Sequence, residues 1–175
     1  ILNFKFMKNL IKLFSFAALI AFFVTSCDTD PCKDVVCGTF GSCLEGICIC
    51  DTGYEQDSTG LCNNEVRAKF LGSWTASDNC TASGTASYSV SITSATSGIL
   101  EVGITNFWGV FTNQVVATVD GTTITIARQE PDSDSFFVEG TGTISGNTIS
   151  MSYTITDETD PANIVSDVCT SPWVK

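Results

Sequence analysis

"NTISMSYTITD", residues 147–157, alternates apolar and polar side chains without a break. Successive side chains of a strand point to opposite faces. Ile149, Met151, Tyr153 and Ile155 therefore share one face, and Ser150, Ser152, Thr154 and Thr156 the other. Such a stretch is a strand with one side in a core and one in water. The same period recurs at Tyr88, Val90 and Ile92, at Leu100, Val102 and Ile104, and at Val115, Ala117 and Val119. It continues at Ile124 and Ile126, and again from Phe136 and Val138 through Gly140 and Gly142 to Ile144. Asp120-Gly121 and Gly146-Asn147 are tight-hairpin signals, and Thr96-Ser97-Gly98 breaks an earlier pair. With segments near 70–77 and 164–174 the pattern gives about eight strands, and no window has helical periodicity. The predicted class is mainly β. Sequential hairpins over residues 70–175 imply an antiparallel meander. About eight strands can close on themselves and eliminate sheet edges. A two-sheet sandwich is the alternative architecture.

Two features mark the ends of this meander. Cys80 follows the expected first strand and Cys169 lies in the expected last one. Those strands are neighbours in an up-and-down barrel. A bridge between them would close a loop of about 90 residues, contributing roughly 4–5 kcal/mol in the chain-entropy view. Phe70-Leu71-Gly72-Ser73-Trp74 opens the segment. Its Gly-x-Trp resembles the signature on the first strand of lipocalins and related calycins. That resemblance implies a barrel with Trp74 plugging one end. The segment is shorter than a typical lipocalin, so a shallow barrel filled by its own side chains is expected.

Upstream, Cys32, Cys37, Cys43, Cys48, Cys50 and Cys62 follow the spacing C-x4-C-x5-C-x4-C-x-C-x11-C. Few apolar residues lie between them, so crosslinks must stabilise residues 32–62. Six cysteines alone permit 15 pairings. The spacing, with Cys48-Ile49-Cys50 followed by Asp51-Thr52-Gly53-Tyr54, resembles an EGF-like domain. The resemblance implies Cys32–Cys43, Cys37–Cys48 and Cys50–Cys62. Pro31 stands where calcium-binding members carry an acid or amide, and Leu44–Ile47 is a short loop. A calcium-free module is therefore expected, with Asp28 and Asp30 as a solvated leader. Residues 63–69 read as a short polar linker.

The N-terminal portion explains the odd cysteine. Nine cysteines less the eight above leave Cys27. Met7 to Lys12 is a short cationic start, and Met7 is the expected initiator. Leu13–Val24 is an uncharged, apolar run. As a helix it would extend about 18 Å, short of a bilayer core of roughly 30 Å. Residues 1–26 thus read as a secretory signal. Val24-Thr25-Ser26-Cys27 resembles the bacterial lipobox. This implies cleavage before Cys27 and its acylation, with residues 27–31 as a lipidated tether. Several acyl chains hold a protein firmly on a membrane. The resemblance implies an anchor in the outer membrane of a Gram-negative bacterium, facing the surface or the periplasm.

All 19 acidic residues follow Cys27, whereas Lys5, Lys8 and Lys12 precede it. So acidic a surface repels phosphate backbones, which argues against nucleic-acid binding. The chain has no histidine, which removes Ser-His-Asp and Cys-His nucleophile pairs and His-ligated metals. No cofactor is expected. Asn106-Phe107-Trp108-Gly109-Val110-Phe111 packs three aromatics into five positions. Together with Trp74 these residues form a candidate ligand or contact patch, or else cap the core from a loop. Glu130, Asp132 and Asp134, then Asp157 and Asp160, are acidic loop clusters. Asp132, Asp134, Asp157 and Asp160 are weak calcium candidates, and solvated turns are the commoner fate of such residues. The leading expectation is a membrane-anchored, non-enzymatic binding or adhesion module for a protein or glycan partner. A lipocalin-like carrier or sensor of a small apolar ligand is the alternative. A carboxylate glycan hydrolase needs two carboxylates about 5–10 Å apart in a cleft, drawn from Glu130, Asp132, Asp134, Glu139 and Asp157.

Overall fold

A computed structural model describes residues 30–175. The expected signal 1–26 and the acylation of Cys27 fall on residues outside the described ones. In the cysteine-rich segment, β1 (Gly41–Leu44) pairs with β2 (Ile47–Cys50), and β3 (Tyr54–Gln56) pairs with β4 (Cys62–Glu65). Cys32–Cys43, Cys37–Cys48 and Cys50–Cys62 are bridged. Only Cys37, Gly53 and Cys62 are buried within this module, so covalent links replace a core. The Phe40 and Tyr54 rings stack at 3.8 Å between centroids.

The remaining strands are β5 (Gly72–Cys80), β6 (Gly84–Ser94), β7 (Glu101–Thr105), β8 (Val115–Asp120), β9 (Thr123–Gln129), β10 (Phe136–Ser145), β11 (Thr148–Asp157) and β12 (Val165–Val174). Each pairs antiparallel with the next, and β12 returns to β5, closing an eight-stranded barrel. The sandwich alternative is thereby excluded. Closure follows from the alternation: one inward row per strand, continuous round the circle, leaves no unpaired edge. Ile149, Met151, Tyr153 and Ile155 are all buried, as their spacing requires. At the seam Cys80 faces Cys169 and the two are bridged, with Cα atoms 4.0 Å apart.

Large side chains fill the interior. Trp74, Trp173, Tyr153, Phe70 and Phe107 are fully buried. Trp74 Nε1 donates to the Phe70 carbonyl at 2.8 Å, and Lys175 Nζ lies 4.6 Å from its ring centroid. Trp74 therefore closes the end at which β5 begins. The filled interior matches the shallow barrel expected from short strands.

The polar joint at 63–69 is ordered structure. Strand β4 continues through Glu65, and Val66–Lys69 form a 3-10 turn. The reason is burial. Val66 and Phe70 belong to the barrel core, and the Val66 amide donates to the Gly53 carbonyl at 2.9 Å. Arg67 Nη1 donates to the carbonyls of Ala95, Gly98 and Glu101 at 3.0, 2.9 and 3.1 Å. Its Nε pairs with Glu65 at 2.8 Å, and Lys69 pairs with Glu55 at 2.6 Å. Gly53, at φ +88°, sits so near Ile99 that a Cβ would lie 2.6 Å from its Cγ2. The small module is thus fixed to one end of the barrel, here termed the base. The base carries the β6–β7 loop, the hairpins at 121–122 and 146–147, and Lys175. The mouth, at the opposite end, carries the 81–83 turn and the loops 106–114, 130–135 and 158–164.

Candidate functional site

The aromatic stretch 106–111 reaches the mouth by an unusual backbone path. Asn106 and Trp108 both have positive φ, 57° and 59°. Asparagine tolerates this region, and Asn106 Nδ2 is held by the Ser89 carbonyl at 2.7 Å. A tryptophan there is strained, so the surrounding packing must hold it. The path separates three neighbours. Phe107 turns inward, with its centroid 4.8 Å from Tyr153 and 5.7 Å from Trp173. Phe111 is also buried. Trp108 stays at the rim, 6.0 Å from Phe111 and 6.3 Å from Phe136. The patch suggested by sequence therefore divides. Trp74, Phe107 and Phe111 are core side chains, and only Trp108 borders a concavity.

That concavity is a cavity of about 280 Å³ at the mouth. Trp108, Phe136, Ile155 and Val165 form apolar walls, and Asp157 and Asp167 supply carboxylates. Asp167 is 7% exposed. It accepts from the Ala82 amide at 2.6 Å, the Ser83 amide at 3.0 Å and Thr81 Oγ1 at 3.1 Å. Desolvation pushes its pKa up, but the bonds from Ser83, Ala82 and Thr81 outweigh it, and the carboxyl titrates below its usual range. Asp157 Oδ1 accepts from Thr159 Oγ1 at 2.7 Å and the Thr159 amide at 2.9 Å, which hold its pKa down. Both groups are carboxylates at neutral pH.

Deeper in the barrel, on β5, lies Asp78, 4% exposed. The Tyr88 and Tyr153 hydroxyls each donate to its Oδ2 at 2.7 Å, while Oδ1 has no partner. Burial, reinforced by the carboxylate, raises both tyrosine pKa values far above normal. Sequence reasoning missed Asp78 because the first strand was expected to end near residue 77. It missed Asp167 although that residue alternates with Cys169. An acid in phase with inward apolar positions was the readable signal in both cases.

The calcium candidates act as separate turn-formers. Asp132 accepts the Thr112 and Asn113 amides at 2.8 Å each, tying two mouth loops together and lowering its pKa. Asp134 accepts the Phe136 amide at 3.1 Å, and Asp160 the Ala162 amide at 3.0 Å. Glu130 accepts the Ser135 amide at 2.6 Å, and Glu139 points outward from β10. Among the described residues the one close trio of candidate ligand atoms is Cys80, Asp167 and Cys169. Its two sulfurs are bonded to each other, so they are not thiolate ligands. No protein-family model matches the chain, and no curated protein matches it either.

Proposed function

We propose that this chain is a lipid-anchored, non-enzymatic binding protein. In this reading Cys27 carries the acyl anchor in the outer membrane of a Gram-negative cell. Residues 32–62 are an EGF-like spacer, and residues 70–175 are a lipocalin-like barrel that presents its mouth away from the membrane. One observation carries the reading: the spacer docks on the base, at the end opposite the aromatic and acidic mouth. The first-to-third, second-to-fourth and fifth-to-sixth bridges support the EGF-like assignment. Gly72, Trp74 and the closed meander support the lipocalin-like one.

A second reading, a carrier of a small ligand, draws support from the mouth cavity. The packed interior leaves room for such a ligand at the rim, not deep in the barrel. Hydrolysis of glycans has weak support, because Glu130, Asp134 and Asp157 serve local turns, Asp132 ties two loops together and Glu139 faces away from the interior.

Mass spectrometry of the membrane-extracted protein tests the anchor. The expected species begins at residue 27 with acyl chains on Cys27, and Cys27→Ser releases the protein from the membrane. Limited proteolysis of intact cells tests orientation, with cleavage expected at the 158–164 loop. An unmodified Cys27, or full protection of that loop on intact cells with cleavage after lysis, rejects the surface-lipoprotein reading.

A further inference from the structure

The mouth cavity combines three properties that point to one ligand chemistry. Two of its lining residues are carboxylates, Asp157 and Asp167, and none is cationic. Asp157 Oδ2 makes no protein hydrogen bond, and Asp167 Oδ2 receives only the Ser83 amide. Each therefore retains accepting capacity. Trp108 and Phe136 also line the cavity, with ring centroids 6.3 Å apart, and aromatic rings attract cations. Asp78 lies deeper in the barrel and does not line the cavity, although its Oδ1 also has no partner. Arg128, the cation on the mouth half of the strands, is engaged by Glu158 and stacks over Phe137 at 3.9 Å. The local field at the mouth is negative.

We propose that this cavity binds a small organic ammonium ion with an aromatic or aliphatic tail. The ammonium lies against Asp157 and Asp167, and the tail against Trp108 and Phe136. This deepens the binding-protein reading and rests on it. An anion is excluded by the carboxylates. A hard metal ion fits poorly, since much of the lining is apolar and no third carboxylate joins the first two. The volume, about 280 Å³, suits a ligand smaller than a drug-sized molecule. Trp108 is the residue most committed to this role: its strained backbone sets the indole at the rim while both neighbouring phenylalanines are buried.

Calorimetry on the full chain in a non-ionic detergent tests the idea. Phenethylammonium is the probe, with 2-phenylethanol as its neutral isostere, 3-phenylpropionate as the anion and calcium chloride as the metal. Saturable binding of the ammonium is expected, about tenfold weaker binding of the alcohol, and none of the carboxylate. Asp157→Asn keeps an oxygen for the Thr159 bonds but loses the charge, and should weaken the ammonium about tenfold while leaving the alcohol unchanged. Trp108→Leu should weaken both, the ammonium more. Equal affinity for ammonium and alcohol overturns the proposal, as does no ammonium binding, an unaltered Asp157→Asn variant, or displacement of the probe by calcium. The acyl group on Cys27 and the exposure of the barrel are read by separate measurements, so either idea can fail without the other.

Discussion

Asp78 shows how much a single inward position can determine. Its neighbours on the same face are Trp74, Ala76 and Cys80, yet it brings a carboxyl group into the barrel, where the Tyr88 and Tyr153 hydroxyls donate to it. Leaving a buried polar group short of a partner costs more than the net worth of an ordinary hydrogen bond. Tyr153→Phe should destabilise the fold by about 1–3 kcal/mol in urea titration. In an Asp78→Ala background the same change should cost clearly less, because the acceptor it served is gone; equal costs would reject the coupling. The tyrosines also set an alkaline limit. Their folded pKa values lie above the unfolded value of about 10, so the native state holds protons that the unfolded state releases. This stabilisation is complete below about pH 10 and falls away as pH rises further. Absorbance at 295 nm should show these two hydroxyls ionising together with the loss of near-ultraviolet circular dichroism, not before it.

At the scale of elements, glycines in β10 decide what the facing strand can carry. Gly140 pairs with Tyr153, and Gly142 with Met151. A Cβ on Gly140 would meet Tyr153 Cβ at 2.5 Å and the Ser152 carbonyl at 2.6 Å, both fixed. On Gly142 the nearest atom is the Met151 sulfur, the pliant end of a flexible chain. Gly140→Ala should therefore cost about 2–3 kcal/mol and Gly142→Ala clearly less, as thermal melts would show; the reverse order would mean that β10 shifts to accommodate the first change. Strand existence was legible from the period-two rows because each row faces one filled interior. The paired Cys80 and Cys169 were legible because first and last strands meet in a closed meander. Strand ends were less legible: β5 runs to Cys80, paired with β6 across Asp78 and Asn79, although a polar Asp78 interrupts its inward apolar row. The fate of the aromatics was also hidden. Spacing alone cannot show that positive φ at Asn106 and Trp108 sends Phe107 inward and leaves Trp108 at the rim.

Across the whole molecule, the decisive feature is that module and barrel share a joint. Arg67, 11% exposed in its side chain, ties the 3-10 turn to three carbonyls of the β6–β7 loop. Arg67→Ala should leave both halves folded but free them from each other. Nitrogen-15 relaxation should then report two different tumbling times where the parent protein has one; a single shared time would mean that Val66 and Phe70 suffice. The seam bridge acts on the same scale. Cys80→Ser with Cys169→Ser should lower stability by about 2–5 kcal/mol, read by denaturant unfolding of the non-reduced protein. That bridge also has a mechanical meaning. Tension applied from the N-terminal side enters the barrel through Gly72, the first residue of a strand held laterally by both β6 and β12. Peeling can run along β5 only as far as Cys80, where a covalent bond to the last strand takes up the load. A pull that would unzip an ordinary meander from its first residue onward is arrested here after nine residues.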